Sequence, residues 1–299
     1  ALRQMMASKG WDAVVVSGSD PHASEYPSPR WKQVEWLTGF TGEAGDVVIT
    51  LDHAGLWTDS RYFIQAVTQL EGTGVELHKT RVPGAVLIPE WLSKNASTVA
   101  VDGLCQSMGA VQEIEEALAQ THPDGCFRVV DIPDMLEVFW NDRPQIPATP
   151  IATMDVECFG GIPRAEKISW IRKWMLLHGI DRVLLSSLDE IAWMLNVRGS
   201  DIEYNPLVIS YLLISQDYVK WFVRKSMVDM DPDTEDSFNE LVADGVDIED
   251  YEAVFFALSD FSGETTRVRL FADPSTLNYH LYTYIKNSYP SELLVCGTS

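Results

Sequence analysis

Cysteine is scarce in this chain of 299 residues, and its four copies lie far apart: Cys105, Cys126, Cys158 and Cys296. No two of them form the close pair that a structural zinc site normally uses, so no such site is predicted. Scattered single thiols in a chain of this length are typical of a reducing compartment, where disulfides do not persist. The cysteine pattern therefore predicts a cytoplasmic protein.

Positive charge is scarce as well. Lys and Arg number 22 against 44 Asp and Glu, which gives a net charge of −22 at pH 7. A field of this sign repels phosphate backbones and anionic lipid surfaces, so neither nucleic acid nor a membrane is predicted as a partner. The charge mildly favours cationic ligands such as the free amino end of a peptide, although solubility alone explains most of it.

Long hydrophobic runs and the common catalytic motifs are absent from the sequence. No stretch of about 18 apolar residues could span a bilayer, and the first residues lack the apolar region of a secretory signal. The motifs HExxH, GxxxxGK[ST], GxGxxG and GxSxG do not occur. No convincing set of His and carboxylate ligands for a catalytic metal is found either. The residues alone predict scaffolding or binding domains without a catalytic centre.

What the sequence does contain is a repeat. Residues 10–20 (GWDAVVVSGSD) and 179–189 (GIDRVLLSSLD) share five of eleven residues at a constant offset of 169. This offset is far longer than the ~20–50 residues of a solenoid repeat. It predicts two related domains in tandem, each large enough to have its own core.

Helices and strands are mixed in both halves of the chain. In the first half, helices are predicted at 1–9, after residue 60 and near 108–120, and strands at 11–18, 46–51, 55–58, 99–102 and 128–131. In the second half, helices are predicted from 164 and at 276–287, and strands at 207–215, 218–224, 253–259 and 267–271. Each domain is therefore predicted to be α/β, with a mixed sheet flanked by helices.

The boundary between the two domains is predicted from proline. Pro144, Pro147 and Pro150 fall within seven residues. Because each proline restricts itself and the residue before it, this segment is expected to be a stiff, extended linker. The first domain is therefore placed at 1–148 and the second at 149–299.

The segment WTDSRY, residues 57–62, contains the strongest binding candidate. Asp59 or Ser60 is predicted to cap a helix, whose apolar face would comprise Phe63, Ala66, Val67 and Leu70. Arg61 would then lie in the first turn, where the helix dipole disfavours a cation by about 0.3–1 kcal/mol. Arg61 either binds a carboxylate or carbonyl of a ligand or forms a surface pair with Asp59 that contributes little to stability. The sequence leaves both open.

Two further segments carry polar residues. His22 and Glu25 lie on a loop between two prolines, directly after the first strand, where a ligand can contact them. We favour a structural interpretation of this loop, in which Ser24 and Glu25 cap a turn, because a lone His rarely marks a catalytic centre. Residues 187–201 hold three acids and one Arg; they are interpreted as a capped core helix rather than a carboxylate metal cluster.

Five motifs, in order along the chain, resemble those of Xaa-Pro aminopeptidases (aminopeptidase P, M24 metallopeptidase family) in their long three-domain form. They are DPHASEY (20–26), LTGFTG (37–42), LWTDSRYF (56–63), WNDRP (140–144) and LDEIAWMLNVRGSD (188–201). The resemblance implies two tandem creatinase N-terminal-like, ribonuclease H-like domains, in agreement with the repeat. One departure is EAGD at 43–46, where the family more often has Ser-Ala-Gly-Thr.

The resemblance also implies a catalytic domain that this sequence lacks. In that family a third, C-terminal pita-bread domain holds two Mn²⁺ ions through two Asp, one His and two Glu, and cleaves the bond before proline. None of those ligand motifs occurs here, and the chain, which starts at Ala1 rather than Met, stops about where that domain would begin. The implied protein is a cytoplasmic, homodimeric metallo-aminopeptidase acting on proline-containing peptides. The present chain, without metal ligands or catalytic residues, is expected to gate substrate access, to aid assembly with its own catalytic domain, and to be inactive alone.

By the same resemblance, Arg61 matches the Arg of the family's Trp-Thr-Asp-Gly-Arg-Tyr motif, which contacts the bound peptide; here Ser60 replaces the Gly. His22 is a weaker substrate-binding candidate, by loop position only. Two alternatives stay open. One is a non-catalytic peptide- or protein-binding module of creatinase fold, and the other is a carboxylate-dependent nuclease, against which the strong acidity argues.

Overall fold

The computed structural model describes residues 1–159, 161–225, 228, 231–259, 268–288 and 294–297. It divides into two compact units. Unit 1 comprises Ala1–Gln145 with Asn278–His280, and unit 2 comprises Ile146–Leu277 and Leu281–Ser299. Each unit contains a mixed six-stranded sheet with helices, so the α/β prediction is confirmed for both halves.

The sheet of unit 1 has the strand order β4-β3-β2-β1-β5-β6. Its strands are β1 (Ala13–Val16), β2 (Asp46–Thr50), β3 (Ala54–Thr58), β4 (Glu76–Lys79), β5 (Thr98–Val101) and β6 (Arg128–Asp131). Its helices are α1 (Leu2–Lys9), α2 (Gln33–Thr38), α3 (Phe63–Gln69), α4 (Ile88–Asn95) and α5 (Met108–Thr121), with a short 3₁₀ helix at Pro29–Trp31. The three consecutive strands β1, β2 and β3 are antiparallel, and the other pairings are parallel.

Unit 2 repeats this arrangement with the order β12-β11-β10-β8-β13-β14 and adds a small sheet of β7 and β9. Its strands are β7 (Ala152–Thr153), β8 (Arg182–Leu185), β9 (Val197–Arg198), β10 (Ser210–Ser215), β11 (Val219–Val223), β12 (Asp247–Asp250), β13 (Leu270–Ala272) and β14 (Leu294–Cys296). Its helices are α6 (Val156–Phe159), α7 (Arg164–His178), α8 (Leu188–Leu195), α9 (Pro232–Ala243), α10 (Ala253–Ser259) and α11 (Tyr279–Ser288). Strands β8, β10 and β11 are antiparallel, and the remaining pairs in the large sheet are parallel.

The residues shared by the two copies of the repeat have matching backbone roles. Gly10 and Gly179 end α1 and α7 in the left-handed conformation, with φ of 67° and 63°, which glycine adopts at the lowest cost. Asp12 and Asp181 accept hydrogen bonds from the backbone that leads into the next parallel strand, at Thr98 N (2.8 Å) and Arg269 N (2.7 Å). The repeat therefore preserves the helix-to-strand turn and the docking of the neighbouring strand.

Three predictions of local structure are wrong. Residues 253–259 form α10 instead of a strand, because a short apolar run fits a buried helix equally well; Val254, Ala257 and Leu258 are buried at helical spacing. Helix α3 begins at Phe63 with Tyr62 at its N-cap, so neither Asp59 nor Ser60 caps it. Val67, expected on its apolar face, is 60% exposed.

The elements that were not predicted from the sequence include helices α2, α4, α6 and α9 and strands β4, β7, β9, β12 and β14. In the described part of the chain, no helix has both the length and the apolar character needed to cross a bilayer.

Candidate functional site

A polar pocket of about 360 Å³ lies at one end of strands β1, β2 and β3 in unit 1. The loops after β1, before β2 and after β3 meet there because these three strands are antiparallel neighbours. The lining residues are Ser17, Gly18, Ser19, Ser24, Glu25, Tyr26, Glu43, Ala44, Gly45, Asp46, Arg61 and Tyr62. Loops at strand ends commonly carry binding residues, so this pocket is the candidate site.

Arg61, which lines the pocket, is paired with Asp59. Arg61 donates from Nε to Asp59 Oδ1 (3.0 Å) and from Nη2 to Asp59 Oδ2 (2.7 Å), a bidentate arrangement. The Asp59 side chain is 9% exposed, whereas that of Arg61 is 62% exposed. The hydrogen bond from Arg61 lowers the pKa of the Asp59 carboxyl to about 2. A buried, ionised carboxylate thus holds an exposed guanidinium at the pocket.

This arrangement changes the basis of the Arg61 prediction. Because α3 starts two residues later, Arg61 does not oppose the helix dipole from inside the first turn. The pair with Asp59 that the sequence allowed does form. It uses Nε and Nη2, and in the described part of the chain no hydrogen bond occupies Nη1. Pairing with Asp59 and contact with a ligand are therefore compatible.

Asp46 also lines the pocket. Its Oδ1 accepts hydrogen bonds from the Ser17 hydroxyl (2.9 Å) and the Gly18 N–H (3.0 Å). Burial raises the pKa of the Asp46 carboxyl, and these two hydrogen bonds oppose the rise. Gly18 permits the close packing here, since a Cβ on it would lie 2.4 Å from the carbonyl oxygen of Gly45. The unusual acid in the EAGD segment is the sequence signal for this feature.

The pocket presents charges of both signs. Glu25, Glu43 and Asp46 bring carboxyl groups to it, and Arg61 brings a guanidinium. Carboxylates can bind an ammonium group, and a guanidinium can bind a carbonyl or carboxylate oxygen. The geometry therefore suits a ligand with both kinds of group, such as a short peptide.

His22 lies close in sequence to this pocket but does not line it. His22 is 2% exposed, and its backbone N–H donates to Asp20 Oδ1 at 2.9 Å. Asp20 Oδ1 also accepts from Ser24 N at 3.0 Å, so the carboxylate of Asp20 organises this loop. The role predicted for His22 in substrate binding stays a prediction.

A larger pocket of about 490 Å³ lies in unit 2. Its lining is mainly apolar: Ile171, Trp174, Val183, Leu185, Asp189, Glu190, Trp193, Met194 and Phe271. Its two acids lie at the start of α8, where carboxylates stabilise a helix terminus. Because it brings together few polar groups of different kinds, it is a weaker candidate for peptide recognition.

Three side chains of the kinds that can bind a metal are brought together elsewhere in unit 1. His53, Glu76 and His78 have donor atoms within 4.8 Å of one another. His53 and Glu76 lie at the start of β3 and β4, and His78 lies two residues further along the edge strand β4. No other group of three His, Cys, Asp or Glu side chains in the described residues meets this distance. This cluster was not predicted from the sequence.

Comparison with known proteins assigns both halves of the chain to the same kind of domain. Residues 1–137 and residues 142–294 each match a sequence profile described as the Creatinase/Prolidase N-terminal domain. The chain is 34% identical over 306 residues to human Xaa-Pro aminopeptidase 2, covering 100% of this chain and 43% of that protein. It is 30% identical over 283 residues to Aminopeptidase P2 of Arabidopsis thaliana, covering 93% of this chain and 38% of that protein.

A solved structure gives the same result. The X-prolyl aminopeptidase of Caenorhabditis elegans, described as a cytosolic enzyme with a di-nuclear active site, matches with a TM-score of 0.85 and 28% identity. The match covers 96% of this chain and 46% of that one. The present chain therefore spans less than half the length of the relatives it matches.

Proposed function

Because the chain belongs to the creatinase/prolidase N-terminal domain family in both halves, we propose that it is the N-terminal part of an Xaa-Pro aminopeptidase. Such an enzyme removes the N-terminal residue from peptides with proline in the second position. The observation that carries this proposal is the alignment of the whole chain with human Xaa-Pro aminopeptidase 2 at 34% identity. We also propose that the domains divide at residues 148 and 149.

The whole protein is proposed to be a metallopeptidase with two Mn²⁺ ions in a C-terminal catalytic domain. The di-nuclear active site of the C. elegans relative supports a pair of metal ions. A cytoplasmic location and a homodimer belong to the same proposal. The location is supported by the cytosolic relative and by Cys105, Cys126 and Cys158, which are free thiols.

The two domains in this chain are proposed to gate the entry of the peptide and to aid assembly with the catalytic domain, without being active alone. In this proposal Arg61 contacts a carbonyl or carboxylate of the peptide, and Asp59 holds its guanidinium in place. The exposure of Arg61 and the burial of Asp59 support these roles. His22 is a weaker candidate because its side chain is buried and does not line the pocket.

The first test is the reading frame beyond Ser299, followed by an assay of the full-length protein on Xaa-Pro peptides. The proposal expects a downstream domain with two Asp, one His and two Glu as metal ligands, and metal-dependent release of the N-terminal residue. It also expects no release by residues 1–299 alone. A downstream domain without these ligands would contradict the peptidase proposal and favour the alternative, a non-catalytic module that binds a basic partner through the charge of −22.

The role of Arg61 is tested by Arg61→Ala in the full-length protein. Loss of one charge-assisted contact should cost about 1.5–3 kcal/mol of transition-state stabilisation, which lowers kcat/KM roughly 10- to 150-fold. Arg128→Ala is the matched control, because Arg128 is an exposed Arg of unit 1 that does not line the pocket. An unchanged kcat/KM for Arg61→Ala would remove Arg61 from the peptide site while leaving the assignment to the family intact.

A further inference from the structure

The cluster of His53, Glu76 and His78 is placed on one face of the sheet by strand register. Gly55 pairs with Glu76 and Trp57 pairs with His78 across β3 and β4. Side chains two residues apart in a strand point to the same face, so Glu76 and His78 share the face of Gly55 and Trp57. His53 precedes β3 by one residue and lies two residues before Gly55. The side chains of His53, Glu76 and His78 therefore lie together on one face of the sheet, beside its edge strand β4.

The turn that carries His53 is fixed by its own hydrogen bonds. The backbone N–H of His53 donates to Thr50 Oγ1 at 3.0 Å, and the carbonyl of His53 accepts from Arg3 Nη2 at 3.0 Å. The Thr50 hydroxyl in turn donates to Asp52 Oδ1 at 2.7 Å. Because these contacts involve its backbone, the imidazole of His53 keeps both ring nitrogens for other partners.

The three side chains approach one another without forming hydrogen bonds. His53 Nδ1 lies 3.8 Å from Glu76 Oε2, which is longer than a hydrogen bond. The Nε2 atoms of His53 and His78 are buried, and neither has a hydrogen-bond partner in the described part of the chain. A buried ring nitrogen without a partner is unfavourable. His53 faces Glu76 through Nδ1, and His78 has an unsatisfied Nε2, so each imidazole has a ring nitrogen that a cation could use.

Aromatic packing holds the two imidazoles. The ring of His78 stacks on Trp57 with centroids 3.8 Å apart, and the ring of His53 stacks on Trp91 of α4 at 5.0 Å. Gly55 makes room for His78, since a Cβ on it would lie 2.8 Å from His78 Nε2. The rings are therefore constrained before any ligand binds, while the side chain of Glu76, 67% exposed, is free to adjust.

The equivalent place in unit 2 shows what can occupy this position. Strand register aligns Val16, Val47, Leu56 and Leu77 of unit 1 with Leu185, Leu212, Trp221 and Ile248 of unit 2. By this alignment Tyr218, Lys220 and Glu249 take the places of His53, Gly55 and His78. Lys220 Nζ lies 2.7 Å from Glu249 Oε1 and 5.7 Å from the centre of the Tyr218 ring. Unit 2 thus has a built-in ammonium cation where unit 1 has a glycine and unsatisfied metal ligands.

We propose that His53, Glu76 and His78 bind a divalent transition-metal ion, Zn²⁺, which ties the edge strand β4 to the β2–β3 turn. Two imidazoles and one carboxylate suit tetrahedral Zn²⁺, with the fourth position left for water. Donors around such an ion lie about 3.3 Å apart. The three donor atoms all lie within 4.8 Å of one another, and the exposed side chain of Glu76 can move to bring its carboxylate to the ion.

This site is separate from the metal pair proposed for the catalytic domain, and it departs from the sequence-based prediction that this chain holds no metal ligands. It does not rest on the proposed peptidase function. Because it is tested with residues 1–299, no ligand of the proposed catalytic domain takes part in the measurement.

The test is titration of the metal-free 299-residue chain with Zn²⁺ by calorimetry, using Ca²⁺ as an oxygen-preferring control ion. We expect one Zn²⁺ per chain and no comparable binding of Ca²⁺. Glu76→Gln should weaken Zn²⁺ binding at least about tenfold, whereas Glu71→Gln, which makes the same charge change at an exposed Glu nearby, should not. His78→Phe keeps an aromatic ring against Trp57 and should abolish the tight site. Zinc-edge X-ray absorption should show two imidazole ligands.

The outcomes decide the proposal directly. Equal affinity for the wild type, Glu76→Gln and His78→Phe would overturn it, and so would absence of Zn²⁺ binding to the wild type. If His78→Phe fails to fold, as judged by hydrogen exchange in the β2–β3 hairpin, Glu76→Gln against Glu71→Gln decides. Both of those variants change exposed residues. Absorption spectra with only oxygen ligands would likewise contradict the assignment of the two histidines.

Discussion

The two units share a backbone plan and differ in the chemistry that it carries. Their strand orders and the parallel or antiparallel sense of every equivalent pair are the same. The repeated glycine and aspartate act on the backbone at helix ends and strand starts in both units. Core positions also differ, as Leu56 and Trp221 do, but the differences in polar chemistry described above lie at a pocket or a sheet edge. Backbone-directed residues thus specify the fold, and the remaining positions are free to acquire different ligands.

The two units also differ in what lies against one face of the central strand. This strand is β1 in unit 1 and β8 in unit 2. In unit 1, Val14 and Val16 share a closed core with Met135 and Leu136, which follow β6. In unit 2 the equivalent residues, Val183 and Leu185, line the apolar pocket of about 490 Å³. The same face of this strand therefore borders a pocket in unit 2, where Val183 and Leu185 are nevertheless buried.

The largest expected effect tests the register alignment of Leu56 with Trp221. Both side chains are fully buried. Trp221→Ala should destabilise unit 2 by about 3–5 kcal/mol and Leu56→Ala should destabilise unit 1 by about 2–5 kcal/mol, because each leaves a cavity. Hydrogen exchange of peptides from β10–β11 and β2–β3 reports on the two units separately.

Trp221→Phe is the control for that prediction. It keeps an aromatic ring in the core and removes an indole N–H that is buried without a partner in the described residues. Trp221→Phe should therefore lower the free energy of unfolding much less than Trp221→Ala does. Each alanine variant should lose hydrogen-exchange protection in its own unit. If either variant lost protection only in the other unit, the assignment of these side chains to separate cores would be contradicted.

A second prediction transfers the histidine cluster from unit 1 to unit 2. The triple change Tyr218→His, Lys220→Gly and Glu249→His leaves Asp247 in the place of Glu76. If register alone determines which side chains converge, the Zn²⁺ stoichiometry should rise from one to two per chain in the calorimetric titration. Lys220→Gly alone should leave it at one. A stoichiometry that stays at one in a triple variant with normal hydrogen exchange would break the equivalence of the two sheet edges.

The sequence predicted those parts of the fold in which local pattern and burial agree. Strand β1 is a continuous apolar run after a helix-ending glycine, and all four of its residues are buried. By contrast β4 reads Glu-Leu-His-Lys, with one apolar residue, and no residue of it is fully buried. An edge strand of this kind is stabilised by pairing with β3, which its own sequence does not encode.

The candidate site was predicted less completely than the fold, for a related reason. Arg61 was identified from its motif, but its helix position was wrong because the cap begins two residues later, at Tyr62 rather than Ser60. Asp46 and the cluster of His53, Glu76 and His78 depend on contacts across strands. Such contacts follow from register, and register was not available until the strands were paired.

The smallest expected effect concerns the Asp59–Arg61 pair, which follows β3 in unit 1. The strand alignment places Arg224 of unit 2 at the position of Asp59. The pKa of Asp59 is lowered to about 2 from an ordinary 3.8 by its hydrogen bonds with Arg61. Since the folded-state pKa is the lower one, the charged carboxylate stabilises the fold above about pH 4, and this contribution disappears as the pH falls toward 2. Asp59→Asn should therefore lower the melting temperature slightly at pH 5–7, and the two proteins should converge near pH 2.

A double-mutant cycle separates the pair from other effects of the substitution. Arg61→Gln should reproduce the profile of Asp59→Asn, and the double variant should lose no more than either single variant, because one interaction is removed in every case. The pair is a bidentate one with a buried carboxylate, which distinguishes it from the looser Arg224–Glu252 contact of 3.4 Å in unit 2. Additive losses in the double variant would mean that Asp59 and Arg61 act separately, and Asp59 would then have no role in positioning the guanidinium at the pocket.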